Sequence, residues 1–196
     1  VLQRTLHDWP ALRALCQPSA HGPAFVSVNL SAYELSNPQI VDIIEQHLAT
    51  VGMPPQELKV ELTETTLVDD LETLVASLAK LSAHGVGFAL DDFGTGYSSF
   101  EYLKTLPIGC LKIDRTFVRA VKSEARSREI VQAALQLART LGLCTIAEGI
   151  EDEETARQLA ALGCDLAQGY YFTLPLSLND IQRWHDEARR LGRLSA

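Results

Sequence analysis

Two hydrophobic rhythms alternate along the chain. Short runs rich in β-branched and apolar residues occur at 24–31 (AFVSVNLS), 58–64 (LKVELTE), 86–93 (VGFALDDF), 110–117 (CLKIDRTF), 144–150 (CTIAEGI) and 166–172 (LAQGYYF), and they predict six strands. Between the runs, apolar positions return every three or four residues. Ile40, Ile43, Ile44 and Leu48 form one such stripe, opened by Asn37-Pro38 and stopped by Gly52. Further helices are expected from Asp69 or Asp70 to Gly85, from Ser123 to Gly142, and from Asp152 to Gly163. A last one starts at Ser177, where Asp180 makes a capping-box-like opening.

Strand, helix, glycine and strand thus repeat at intervals of roughly 20 to 35 residues, the size of a βα unit. Near-continuous apolar strands covered by helices imply parallel strands buried on both faces. A closed barrel and an open doubly wound sheet both satisfy this pattern.

The polar positions separate the two. Nearly every run carries its polar residues toward its C-terminal end: Asn29, Glu61 and Glu64, Asp91 and Asp92, Lys112 and Asp114, Glu148 and Glu151, and Gln168. In a TIM-type barrel those ends form the face where chemistry is done, so the convergence favours a barrel. Strict alternation puts Ala89 and Asp91 on one face and sends Asp92 to the other, or to the rim beyond the strand end. By the same rule Lys112 and Asp114 share a face.

Ionised carboxylates this close raise each other's pKa unless a cation lies nearby. With Asn29 and Glu61 they make an all-oxygen donor set, which suits Mg²⁺ or Mn²⁺ and not zinc or copper. Lys112 could orient a water or neutralise a phosphoryl oxygen. Glu148 could bind a second metal or take a proton from the attacking water, the arrangement of two-metal phosphate-ester hydrolysis. Simpler roles stay open for single residues. A strand-end Asp is commonly a helix cap, Lys112 could pair with Asp114, and Glu64 and Glu151 could brace loops. A Schiff-base aldolase using Lys112 would need a depressed lysine pKa, which acidic surroundings oppose.

Composition narrows the rest. The 196 residues are 46% hydrophobic, enough for one α/β domain over 1–196. The net charge of −8, without a basic run, repels a polyanion such as duplex DNA, so a phosphate ligand needs local help from a cation. Cys16, Cys110, Cys144 and Cys164 fall singly and read as small core residues of a reducing, cytoplasmic compartment. The five histidines (7, 21, 47, 84, 185) end no strand and read as surface or packing residues. No run approaches the roughly 18 apolar residues of a membrane span, and no signal peptide is visible. The only methionine is Met53, so the chain is expected to be a piece of a longer product.

The motifs VNLS, ELTE, DDFGTGYSS, LKIDRTFV, IAEGIE and QGYYF stand in the order and spacing of the EAL domains, which the chain resembles from Val1 to its last helix. EAL domains are phosphodiesterases that open the bacterial second messenger cyclic di-GMP to its linear dinucleotide, pGpG. The resemblance implies a TIM-like (β/α)8 barrel with two Mg²⁺ or Mn²⁺ ions. By position, Asn29, Glu61 and Asp91 resemble ligands of the first metal, and Asp91 and Asp92 the pair serving the second. Lys112 matches the lysine that holds the nucleophilic water, and Glu148 the acid treated as its base; Asp92 joins them as a catalytic position. Glu151 and Asp114 match supporting positions, and Gln168, Gly94 and Thr95 the substrate side. Glu64 is similar to the glutamate that anchors the glycine loop, which in this family also takes part in dimer contacts, so a homodimer is expected.

One departure stands out. The Glu-x-Leu-x-Arg strand that names the family is missing: YEL at 33–35 and VEL at 60–62 sit elsewhere, and the chain begins in the family's first helix. Two barrel strands, a metal-ligand Glu and a phosphate-gripping Arg are thereby expected to precede it in a parent that also carries other signalling domains and could be tethered to a membrane. Without those strands the run at 24–31 would be an exposed apolar edge. The alternative to hydrolysis is an inactive cyclic di-GMP receptor.

Overall fold

Each apolar run pairs with the run that precedes it. A computed structural model describes residues 1–16, 24–37, 39–63, 71–94 and 103–190. Its strands are β1 (Val26–Asn29), β2 (Leu58–Thr63), β3 (Gly87–Phe93), β4 (Cys110–Ile113), β5 (Cys144–Ala147) and β6 (Leu166–Ala167). They form one parallel sheet in the order β1-β2-β3-β4-β5-β6. A doubly wound sheet reverses its strand order at a switch point; this one never does, and its architecture is a half-barrel of the TIM-like type.

The helices are α1 (Leu2–Arg13), α2 (Ala32–Leu35), α3 (Ile40–Val51), α4 (Leu71–Ala83), α5 (Arg115–Ala120), α6 (Ala125–Leu141), α7 (Glu153–Leu162) and α8 (Leu178–Arg190). Among the described residues, no helix is long and apolar enough to cross a membrane. The glycine stops after α3 and α6 are as expected: Gly52 and Gly142 take φ of 63° and 70°, a conformation in which a side chain would be strained.

Alternation divides the sheet into two faces with different tasks. Val60, Leu62, Phe88, Leu90, Leu111 and Ile113 point outward and join Ile44, Leu78 and Leu135 of the helices in the main core. Ala89, Cys110 and Ile146 point the other way and form a small cluster with Phe25, Cys144 and Leu166. The fold is held chiefly on the outer face, which leaves the inner face free to carry polar groups at its C-terminal end.

Three expectations are corrected. The run at 110–117 is a strand only to Ile113; Asp114 then accepts a hydrogen bond from the Thr116 N–H at 2.8 Å and caps α5. The helix expected from Ser123 starts at Ala125. Cys16 is exposed, so only Cys110, Cys144 and Cys164 take part in packing.

The helix start expected at Asp152 is present. Asp152 caps α7 through the Thr155 N–H at 2.9 Å and also pairs with Lys122 at 2.8 Å. The hydrogen bond from Lys122 and the one from the Thr155 N–H hold its carboxyl down to about 2. A folded-state pKa below the ordinary 3.8 means that the contribution to stability is fully present above 3.8 and is lost as pH falls through about 2. Asp152→Ala is therefore expected to lower the urea midpoint at neutral pH, and the gap to wild type should narrow in acid. A gap independent of pH would show that the carboxylate charge does not matter there.

Candidate active site: an acidic mouth built on a bulge

Pairing in β3 starts in regular register, with Glu61 opposite Ala89 and Thr63 opposite Asp91. On the other side Leu90 pairs with Leu111, but the next pair is Phe93 with Ile113, so Asp91 and Asp92 together oppose Lys112. This is a β-bulge, and its extra residue takes φ 55°, which among L residues Asp and Asn tolerate best. The Asp92 N–H donates to Asp91 Oδ1 at 2.9 Å and fixes the kink.

The bulge corrects the alternation argument. Asp92 does not leave on the far face: carboxylate oxygens of Asp91, Asp92 and Glu148 all lie within 4.8 Å of one another. Two adjacent like charges are placed side by side because the strand is kinked to aim both at one point.

Lys112 faces the same point from β4. Its ammonium, 3% exposed, stands 2.6 Å from Glu61 Oε2, 3.0 Å from Asp91 Oδ2 and 2.6 Å from Glu148 Oε1. Burial alone would lower the lysine pKa, but the hydrogen bonds to Glu148 and Glu61 outweigh it and push it above the ordinary range. A lysine held in its charged form by three carboxylates is a poor Schiff-base nucleophile, which speaks against the aldolase reading. Glu148 is shifted up by burial and by Asp91 and Glu61, against the pull of Lys112. Gln168 Nε2 donates to Glu148 Oε1 at 2.7 Å and orients it. That glutamine is placed by Gly169, where a Cβ would come within 2.2 Å of the Ile150 carbonyl oxygen.

Asp114 does not pair with Lys112; besides capping α5, it hydrogen-bonds the Asp92 carboxyl. Burial raises the Asp92 pKa, and the charges of Asp91 and Asp114 raise it further. Asp92 therefore gives up its proton reluctantly in this negative field, which a divalent cation would relieve.

The remaining candidates are distributed as follows. Asn29 stands opposite Glu61 at the exposed end of β1. Glu61 is turned to Lys112 and lies outside the three-carboxylate group. Glu151 is on the rim in an ion pair with Arg119. Gly94, at φ 98°, ends β3 against Phe117. Glu64 and Thr95 lie outside the described residues.

The donor chemistry fits a hard cation. Three carboxylate oxygens within 4.8 Å of one another are the ligand type that Mg²⁺ and Mn²⁺ take, and side-chain rotation would draw them together around an ion.

A cleft of about 520 Å³ opens beside the mouth, lined by Glu148, Gln168, Arg115, Arg119, Tyr170 and Phe172. Arg115 escaped the sequence reading because it falls in the run 110–117, which has strand character, and Arg119 because nothing in the sequence showed the helix that carries both. Asp114 followed by Thr116, a cap signal, could have exposed them. A second cleft of about 510 Å³ lies at the opposite end of the strands, between α1 and Met53. There Glu57 is buried and satisfied by the Trp9 Nε1–H and the Arg13 Nε–H, both at 2.8 Å, and none of the converged groups lines it. Of the two clefts, the first is the one that borders the converged groups, through Glu148 and Gln168.

Comparison with known proteins gives a consistent result. The family model described as EAL domain matches residues 1–175. MucR of Pseudomonas aeruginosa, named a bifunctional diguanylate cyclase/cyclic di-GMP phosphodiesterase, is 40% identical over 80% of the chain and 23% of its own length. NbdA of the same organism, named a cyclic di-GMP phosphodiesterase, is 35% identical over 91% of the chain and 24% of its own length. The chain thus spans less than a quarter of these two curated relatives. A solved MucR phosphodiesterase in complex with c-di-GMP superposes with a TM-score of 0.81 at 35% identity, over 92% of this chain and 71% of that one. Klebsiella pneumoniae BlrP1, solved as a manganese/cy-diGMP complex, gives a TM-score of 0.74 at 28% identity, over 88% and 45%.

Proposed function

The chain belongs to the EAL domain family, and from that premise we propose that it hydrolyses cyclic di-GMP to linear pGpG with Mg²⁺ or Mn²⁺ held at the acidic mouth. The observation that carries the reading is the convergence of Asp91, Asp92 and Glu148 on one point, with Lys112 beside it. Relatives named as cyclic di-GMP phosphodiesterases, and a neighbour solved with manganese and the dinucleotide, supply the substrate class and the metal.

Asp91, Asp92 and Glu148 offer the oxygens for one cation, and Asn29 and Glu61 extend the donor set toward a second, with Asp91 between them. Bound there, the ions would make a water more acidic and neutralise charge on the phosphodiester oxygens. The chain's own groups do the rest. Lys112, charged at every working pH, orients the water and steadies negative charge developing on the phosphoryl group. Glu148, made more basic by its burial, accepts the proton of the water, and Gln168 holds its carboxyl in place. The cleft walled by Arg115, Arg119, Tyr170 and Phe172 provides a cationic and aromatic surface for a nucleotide base.

The test is chromatography of cyclic di-GMP incubated with this chain, and with a version extended by the preceding Glu-x-Leu-x-Arg strand, in Mn²⁺ and in chelator. Metal-dependent pGpG is the expected product. No product from either version, with the dinucleotide still retained, would replace the enzyme with a receptor.

A further inference from the structure

The inner face below the mouth carries a pair of thiols that the hydrolytic reading does not use. Cys110 and Cys144 are direct register partners on neighbouring parallel strands. Both belong to the inner-face cluster with Ala89 and Ile146, and both are free thiols, Cys110 buried and Cys144 half-buried. Adjacent strands hold paired residues about 4.8 Å apart, within the ~4.4–6.8 Å between Cα atoms that a disulfide accepts. Side chains at one level on one face project alongside each other, so a bridge asks the strands only to bring the two Cβ atoms from about 4.8 Å to the ~3.5–4.5 Å of a disulfide.

We propose that Cys110 and Cys144 form a reversible dithiol–disulfide couple, a thiol modification site that reacts with disulfide oxidants of the glutathione type. Cys144, half-buried, is the thiol an oxidant can reach, and the fully buried Cys110 stands beside it on the next strand as the resolving thiol. The charge of the Lys59 ammonium favours the thiolate at both positions.

The chemistry balances. The Cys144 thiolate attacks one sulfur of glutathione disulfide and expels one glutathione thiolate, leaving a mixed disulfide on Cys144. Cys110 gives its proton to solvent, attacks the Cys144 sulfur and expels the second glutathione. Two thiols are oxidised to one disulfide, and one glutathione disulfide is reduced to two glutathiones. The resulting bond ties β4 to β5 one layer beneath the contact between Lys112 and Glu148. Bridges between neighbouring strands are at the short end of disulfide geometry and are correspondingly easy to reduce.

The whole chain, incubated at neutral pH in glutathione mixtures of increasing oxidising ratio, should be alkylated, digested and mapped by mass spectrometry. The expected result is a linked pair of peptides containing Cys110 and Cys144, a loss of two alkylation sites, and recovery of both with dithiothreitol. The exposed Cys16 reports how far the oxidant has acted on an ordinary thiol. Cys110→Ser should arrest the reaction at a glutathione adduct on Cys144. If Cys110 is still fully alkylated when Cys16 already carries glutathione, or if Cys144 links to Cys164, the couple does not exist. None of these readings depends on hydrolysis.

Discussion

Replacing Lys112 with methionine is expected to destabilise the domain by about 3–5 kcal/mol in metal-free buffer and to remove turnover. The ammonium is buried and touches three carboxylates from three other βα units, those of β2, β3 and β5. Removing one partner of a buried ionic group leaves the others uncompensated, and that residual charge accounts for most of the cost. Methionine keeps the length and apolar stem of the side chain, so little of the effect is a cavity. The urea midpoint in chelator measures the loss. Mn²⁺ should then stabilise Lys112→Met more than it stabilises wild type, because the freed oxygens of Glu61, Asp91 and Glu148 enlarge the cation site; a ligand present at 100 times its Kd contributes about 2.7 kcal/mol. An unchanged midpoint in chelator would show that the ion pairs seen around Lys112 are energetically empty, and an equal Mn²⁺ response in the two proteins would separate Lys112 from the metal site.

Asp91→Asn tests the same mouth from the other side, with the opposite balance between stability and activity. The amide is isosteric and retains the carbonyl oxygen that accepts the Asp92 N–H at 2.9 Å, so the bulge survives. What disappears is the negative charge, which the proposed chemistry needs twice, for the cation and for holding the Lys112 ammonium at 3.0 Å. Turnover of cyclic di-GMP in Mn²⁺ should fall by at least about 10²–10³, the cost of deleting one preorganised electrostatic group, while the urea midpoint moves little. A variant that kept most of its activity would overturn the placement of Asp91 at the centre of the mouth.

Much of this arrangement could be read from the chain. Strand ends at Asn29, Glu61, Asp91 and Glu148 were visible because a polar residue closing an apolar run has nowhere to go but the mouth of a barrel. The helices at 40–51 and 153–162 were visible through their apolar stripes and glycine stops. The bulge was not. Strict alternation is the only rule available without a neighbouring strand, and it left Asp92 either on the far face or on the rim; the extra residue that turns it to the mouth exists only relative to Lys112 on β4. The stretch 115–117 was misread because Thr116 and Phe117 have strand character, whereas the capping bonds of Asp114 decide the matter locally. Nor could sequence show that Lys112 would take up Glu61, since the partners are 51 residues apart.

The strand order also bears on how such a chain comes to be folded. Every strand pairs with the strand made just before it, so each new βα unit closes a loop of tens of residues and not one spanning the domain. Loop-closure entropy grows only slowly over that range, and none of the pairings among the described strands has to wait for the far end of the chain. A sheet of this order can lengthen one unit at a time during synthesis, with Lys112 joining Glu61 and Asp91 as β4 docks and Glu148 completing the charge balance only after β5 has been added.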